Sequence, residues 1–590
     1  MRLDTLTPLD QETLAETRAI LRGMRDRLGE ILAAPELTED TFVEVAAIYD
    51  NAAYVFLYLE SNEEHVDHSA LLPFRQAFFG DEELDRRLLD LCGRLRCADP
   101  EVAVCLDAYV RHLTERLAAD HDRAAELDQL QQRAKEIVSA GQRDQLALLS
   151  RLGVEPGTGT PETASYALIS ATPDAARRSK LSAAMTALRD KRLGDLVETV
   201  DQLVATRQEI SRAAGFPSAL AQTMSRCDLS EQDARSLVDG YVAAAVARHE
   251  SLLDDIRAAL GDLDSPIDHF GHYVRQLQRG VVVPLFDLHH CLDFVYQVVA
   301  RTFGLDMRPV ADSGPHVLTV AVRRGDEVVG YVNFDLWDSG RDRAANSTSG
   351  IRGRVEWGEV VQLPIAYVSC RFHRRPGGRE LITFQNVHSL FHETGHAINH
   401  ILLRKRLPTV SGLDYVPLER IEDLSMWTEK WVYHPDFVDH LGLSEPELAG
   451  VAFCQRVKVL EYRRTHVDRA VTAALDFEVH SGAAGGLRGA FQRLDDRFGV
   501  AAHCSLGDFP VYFSRPMINA NPGATFAYTR SFAASAEQFG PIMDRHLADL
   551  DPAEFDGAFD ACFDYDEPSS KPDIESMFTF YDDVLRRLGR

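Results

Sequence analysis

The 590-residue chain has no run of eighteen apolar residues, and its first twenty residues, MRLDTLTPLDQETLAETRAI, contain no apolar h-region. The first absence argues against a membrane-spanning helix and the second against a secretory signal. Basic residues are in deficit, with 63 Lys and Arg against 91 Asp and Glu and a formal charge of -28. Nonspecific binding to a phosphate backbone is therefore unfavourable, and no nucleic-acid partner is expected. The nine cysteines are odd in number, irregularly spaced and without a close CxxC pair. Reduced, buried thiols in a cytoplasmic protein fit that pattern. No internal repeat or extended low-complexity segment stands out. What is present is ample apolar content, 45% hydrophobic against 26% charged, which argues against a disordered chain.

Most of the sequence carries helical periodicity. DEELDRRLLDLCGRLRC and the long stretch from Asp107 to Leu152 repeat apolar residues every third or fourth position. Ser230, three residues before Asp233, reads as a helix N-cap. GVEPGTGTPETA, Gly153 to Ala164, is rich in Gly, Pro and Thr and reads as a joint between helical units. The pattern changes near residue 317. VLTVAVRRGDEVVGYVNFDLW alternates around Gly325-Asp326 and predicts an antiparallel hairpin. VVQLPIAYVSCRFHRRPGGRELITF is a further strand-like stretch with a turn at Pro376-Gly377-Gly378. Helical periodicity resumes near Asn386. The linear division is a helical region over 1–153, a second helical region over 165–315, and a region with a small sheet over 316–590.

The chemistry-bearing motif is FHETGHAINH, Phe391 to His400. On a helix, His392 and His396 share a face and can approach one zinc ion, while Glu393 can reach a water beside it. Gly395 leaves room for close approach of another backbone or a ligand. A catalytic zinc needs a third protein ligand and an open position. DYVPLERIEDLSMWTEKWVYHPD offers Glu419, Glu422, Asp423 and Glu429, and spacing does not choose among them. His388 and His400 lie one turn outside the pair and are candidates to support it. Asn399 reads as a polar helix residue, His289-His290 as structural or surface residues, and Arg404 to Arg406 as a solvated helix end.

The stretch LFHETGH resembles the LFHEFGH core of the thimet oligopeptidase family of zinc metallopeptidases, which includes oligopeptidase A and dipeptidyl carboxypeptidase. VNFDLWDSGRDRAA is similar to that family's Phe-Asp-Leu-Tyr stretch, and QLPIAYVSCRF to its strand of the form PVAxLVCNF. EDLSMWTEKW resembles the family's Glu-x-Pro-Ser-Gln-x-x-Glu-x-Trp segment, whose first glutamate is the third zinc ligand. The resemblance thus implies Glu422 as that ligand, with Glu429 and Trp431 as later members. AALDFEVH puts Asp476 and His480 in register. The resemblance is specific from about 320 to 535. It implies a mainly α-helical, two-lobed zincin-like fold with a deep channel and a small antiparallel sheet near the zinc helix.

The family's second signature, HxxxxxYxxxYxxY, aligns with YFSRPMINANPGATFAY, Tyr512 to Tyr528. Arg515 falls at the histidine, Asn521 and Thr525 at the first two tyrosines, and Tyr528 at the retained third. Thr394 also replaces the usual aromatic or aliphatic residue inside the zinc motif. Arg515 is suited to a carboxylate and Asn521 to hydrogen bonding, so both are candidate substrate-binding residues. Asn519 to Gly523 reads as a turn. The expected function is hydrolysis of short oligopeptides by a monomer holding one Zn²⁺ on His392, His396 and Glu422. In it Glu393 is the general base and Tyr528 the oxyanion donor. The alternatives are a zinc enzyme acting on a specialised peptide-like small molecule, and a non-catalytic peptide-binding protein.

Overall fold

The computed structural model of the chain describes residues 11–61, 69–117, 121–154, 160–311, 317–338, 346–374, 379–555, 557, 559–564 and 571–589. Helices dominate, as their periodicity predicts. The chain divides into two compact units, each assembled from three separated stretches. One holds residues 1–119, 285–442 and 538–568; the other holds 120–284, 443–537 and 569–590. A division by composition yields contiguous blocks, because composition carries no record of which distant stretches pack together. The Gly153–Ala164 stretch lies within the second unit; it follows the helix His121–Arg151, its last four residues open the helix Pro161–Ala171, and its residues 155–159 lie outside the described residues.

In the first unit, N-terminal helices bury Leu21, Leu28, Phe42, Phe78, Leu88 and Val102 in one apolar core. The helix Glu39–Ser61 is long and apolar enough to cross a membrane by length and composition, and 72% of its most apolar window is buried in the protein. The unit also carries a five-stranded sheet. Its strands are β1 (Asp306–Pro309), β2 (Leu318–Arg324), β3 (Glu327–Trp337), β4 (Ser347–Arg352) and β5 (Ile365–Phe372), in spatial order β1-β2-β3-β5-β4. The expected hairpin is β2-β3, with Val320 opposite Val332 and Gly325 at positive φ in the turn.

Three of the sheet's four strand pairings are antiparallel, as expected, and one is not. β3 and β5 run parallel, with Val332 beside Ala366 and Phe334 beside Val368, so the sheet is mixed. Hairpin signals report only on neighbours in sequence, whereas parallel strands are joined by a long crossover. β5 is buried on both faces along most of its length, which its run IAYVSC reflects. β4 closes one edge, with Thr348 opposite Val368 and Gly350 opposite Ala366. The turn expected at Pro376-Gly377-Gly378 lies outside the described residues, as do residues 339–345 of the VNFDLWDSGRDRAA stretch.

The helix Phe384–Leu402 packs against β4 and β5. It starts where Thr383 caps it, its side chain accepting from the Asn386 amide at 3.2 Å. Gly350 permits the approach: a Cβ there would stand 2.4 Å from His400 Nδ1.

In the second unit, the 36-residue helix Glu445–His480 packs along the helix Glu231–Leu260, which Ser230 caps as expected. Leu252, Ile256, Phe270 and Leu460 form an apolar cluster there. The helices Leu193–Ala213 and Ile574–Arg587 belong to the same unit.

Candidate metal centre

His392 and His396 lie one helical turn apart on Phe384–Leu402, their ring centroids 5.0 Å apart. Each presents Nε2 to a single atom, Glu422 Oε2, at 3.2 Å. These three ligand atoms lie within 4.8 Å of one another. Among the described residues this is the only group of three or more His, Cys, Asp or Glu side chains that converges in this way. Geometry therefore selects Glu422 from the four acidic candidates.

Glu422 immediately precedes the helix Asp423–Glu429. Ser425 Oγ lies 2.9 Å from its Oε2 and orients it. The helix itself is fixed by Trp427 and Trp431, both fully buried, which pack edge-on against Phe559 and Phe539. It lies so close to the histidine helix that a Cβ on Gly395 would stand 2.6 Å from Ser425 Cα and 2.9 Å from the Leu424 carbonyl oxygen. The space at Gly395 thus serves another backbone. Gly395→Ala is expected to lower stability by about 1–3 kcal/mol, because the clash is with main chain rather than a flexible side chain. It should also weaken zinc binding, since the displaced helix carries Glu422. Thermal melts and zinc titration read the two effects.

Glu429 is buried rather than solvated, with its Oε2 2.8 Å from His392 Nδ1. With the proton on Nδ1, the His392 Nε2 lone pair faces the Glu422 side. Burial would raise the Glu429 carboxyl, but His388, the hydrogen bond with His392 and nearby Lys430 pull it down to about 2. His388 Nε2 stands 3.7 Å from Glu429 Oε1, so His388 supports the centre through Glu429. Burial pushes the His392 imidazole down, yet Glu422 and Glu429 outweigh it and hold it well above its ordinary value. Glu429→Gln is expected to weaken zinc affinity by roughly 10–100-fold while leaving the three ligands in place. Competition with a chromogenic chelator measures it.

Glu393 is buried, and its Oε2 lies 2.8 Å from Thr348 Oγ1 on β4. Nothing in the sequence marks Thr348, since the sheet edge and the helix meet only in the fold. Thr394 does not alter the centre. Its hydroxyl donates back to the Leu390 carbonyl at 2.7 Å and it is fully buried. His400 is turned to the sheet, with Nε2 2.8 Å from the Arg352 carbonyl oxygen, so it plays no part at the ligands. Asn399 is fully buried. His289 is exposed and paired with Glu380.

The donor set, two imidazole nitrogens and one carboxylate oxygen with the His392 tautomer fixed, fits zinc with a position open to water. The fit rests on three buried or half-buried side chains whose donor atoms converge on one point.

The segment from Phe513 to Tyr528 lies in the second unit. Asp476 organises it: its carboxylate accepts from the Gly523 amide at 2.9 Å, from the Thr525 amide at 3.2 Å and from the Thr525 hydroxyl. His480 Nδ1 also lies 2.9 Å from Asp476. Arg207 joins His480 to the Phe513 carbonyl and to Asn519. Asn521 accepts from Arg226 at 2.9 Å, and Arg515 is exposed, its guanidinium 4.1 Å from the centre of the Tyr512 ring. Asn519 and Ala520 end a short helical turn, Pro516–Ala520, so of the turn expected at Asn519 to Gly523 only the part from Asn521 onward is non-helical. Tyr528 is half-buried on the helix Phe526–Phe539.

The family model for peptidase family M3 matches residues 167–485, more than half of the chain. The organellar oligopeptidase A of Arabidopsis thaliana is 22% identical over 395 residues, covering 60% of this chain and 50% of that protein. Oligopeptidase A of Escherichia coli is 24% identical over 260 residues, covering 41% of this chain and 38% of that one. The chain thus matches half or less of the length of these two relatives. A candidate peptidase from Chlamydophila abortus has a crystal structure that superposes over 99% of both chains at a TM-score of 0.56 and 13% identity, a likeness of fold.

Proposed function

Because the chain belongs to peptidase family M3, we propose that it hydrolyses peptide bonds in short oligopeptides, with one zinc ion on His392, His396 and Glu422. The observation that carries this reading is the convergence of those three side chains beside a buried Glu393 on the same helix. Zinc, when bound, acidifies a coordinated water and polarises a carbonyl oxygen. Glu393 takes the proton of the attacking water and passes it to the departing amine nitrogen as the C–N bond breaks. Glu429 keeps the His392 proton on Nδ1 throughout. Tyr528 enters through the resemblance of its segment alone, as donor to the oxygen on which negative charge develops.

Incubation of zinc-loaded protein with a mixed library of short peptides tests the reading. Cleavage of many members, loss on chelation and return on zinc addition are expected. Complete inertness of the folded, zinc-loaded protein overturns it. A second reading, a zinc enzyme with a narrow peptide-like substrate, is favoured by the internal bonds that occupy Thr525 and Asn521. Cleavage confined to one or a few closely related members would select it.

A further inference from the structure

β4 alternates at the edge of the sheet: Ser347 and Ser349 are exposed, while Thr348 and Gly350 face the histidine helix. Thr348 Oγ1 lies 2.8 Å from Glu393 Oε2 and 2.9 Å from the Glu393 carbonyl oxygen. A threonine hydroxyl carries one hydrogen, and an ionised carboxylate is the stronger of two acceptors at equal reach. The helix already supplies the carbonyl of an internal residue with an amide donor from one turn on. The hydroxyl is thus free to serve the carboxylate. A β-branched side chain on a strand is also stiff about χ1, so the direction of this bond is set by the sheet.

From this geometry we propose that Thr348 is a positioning residue for Glu393. Its hydroxyl donates to Oε2 and tethers the carboxylate to β4, leaving Oε1 as the oxygen that exchanges protons with water and the leaving amine. Among the described residues Oε1 has no hydrogen-bond partner, whereas Oε2 has Thr348. The inference rests on the proposed hydrolytic role of Glu393 and adds what fixes it. A flexible carboxylate samples several rotamers, and misplacement of a reacting group by about 1 Å can cost on the order of 10²-fold in rate.

Thr348→Val removes the hydroxyl and keeps the branched shape, whereas Thr348→Ser keeps the hydroxyl and removes a methyl. Thr348→Val is expected to lower kcat by about tenfold to a hundredfold with KM and zinc content unchanged, and Thr348→Ser to recover most of that loss. Wild-type kcat in Thr348→Val overturns the proposal, as does an equal loss in both variants, which would make shape the cause. A wild-type protein inert toward every peptide sinks the hydrolytic reading instead. The tether is then read from crystal structures of zinc-loaded wild type and Thr348→Val. A displaced Glu393 carboxylate in the variant supports it, and an unmoved one overturns it.

Discussion

Glu393→Gln is expected to lower kcat by roughly 10²–10⁴-fold, about 3–5 kcal/mol of transition-state stabilisation. The substitution is nearly isosteric, and Thr348 can still donate to the amide oxygen, so the side chain should keep its place. What is lost is the capacity to take and return a proton, because a neutral amide does neither. Zinc content should not change, since the converging ligand atoms belong to His392, His396 and Glu422. KM should stay near the wild-type value, because the change acts on proton transfer rather than on substrate contacts. The measurement pairs steady-state kinetics on a cleaved peptide with metal analysis of the same preparation. Activity within tenfold of wild type would remove Glu393 from the role of general base. Retained peptide binding without turnover would separate hydrolysis from a purely binding function.

How far the sequence reaches is clearest at the centre itself. His392 and His396 are legible because helical periodicity alone puts residues four apart on one face. Glu422 is legible only through the resemblance of its segment, since its approach to the histidines depends on how a second helix packs. That packing is written in Gly395, Trp427 and Trp431, but their meaning is three-dimensional: a missing Cβ 2.6 Å from a neighbouring main chain and two buried indoles. Glu429 illustrates the opposite case. A glutamate on a short helix is ordinarily solvated, and only burial against His392 reveals it as the residue that fixes the tautomer. Thr394 misleads in sequence, where it sits between the two histidines, because its hydroxyl is spent within its own helix. Thr525 stands where a tyrosine is expected, and its hydroxyl belongs to Asp476, forty-nine residues earlier in the chain. The sheet fails in one respect for a related reason. Alternation predicts strands and adjacent hairpins well, while the parallel pairing of β3 with β5 is set by a crossover that leaves no local signal.

Glu422→Ala is expected to abolish peptide hydrolysis together with tight zinc binding, and so to differ from Glu393→Gln in metal content as well as rate. A zinc site with a full set of protein ligands is worth roughly 10–16 kcal/mol, so one ligand of several carries about 3–4 kcal/mol, a loss of some hundredfold to a thousandfold in affinity. The metal-free protein should also suffer. Burial raises the Glu422 carboxyl, but His396 and His392 outweigh it and hold it well below its ordinary value of 4.5. A carboxyl lowered on folding adds stability that is fully present above its unfolded pKa and is lost as pH falls through the folded value. At neutral pH that contribution is intact in the metal-free wild type and gone in Glu422→Ala. The variant should therefore melt at a lower temperature than metal-free wild type near pH 7. The gap should close as the pH is taken below that of the ionised Glu422. Direct zinc titration and melts across that pH range decide the matter. Undiminished zinc affinity in Glu422→Ala would show that the third ligand is another side chain.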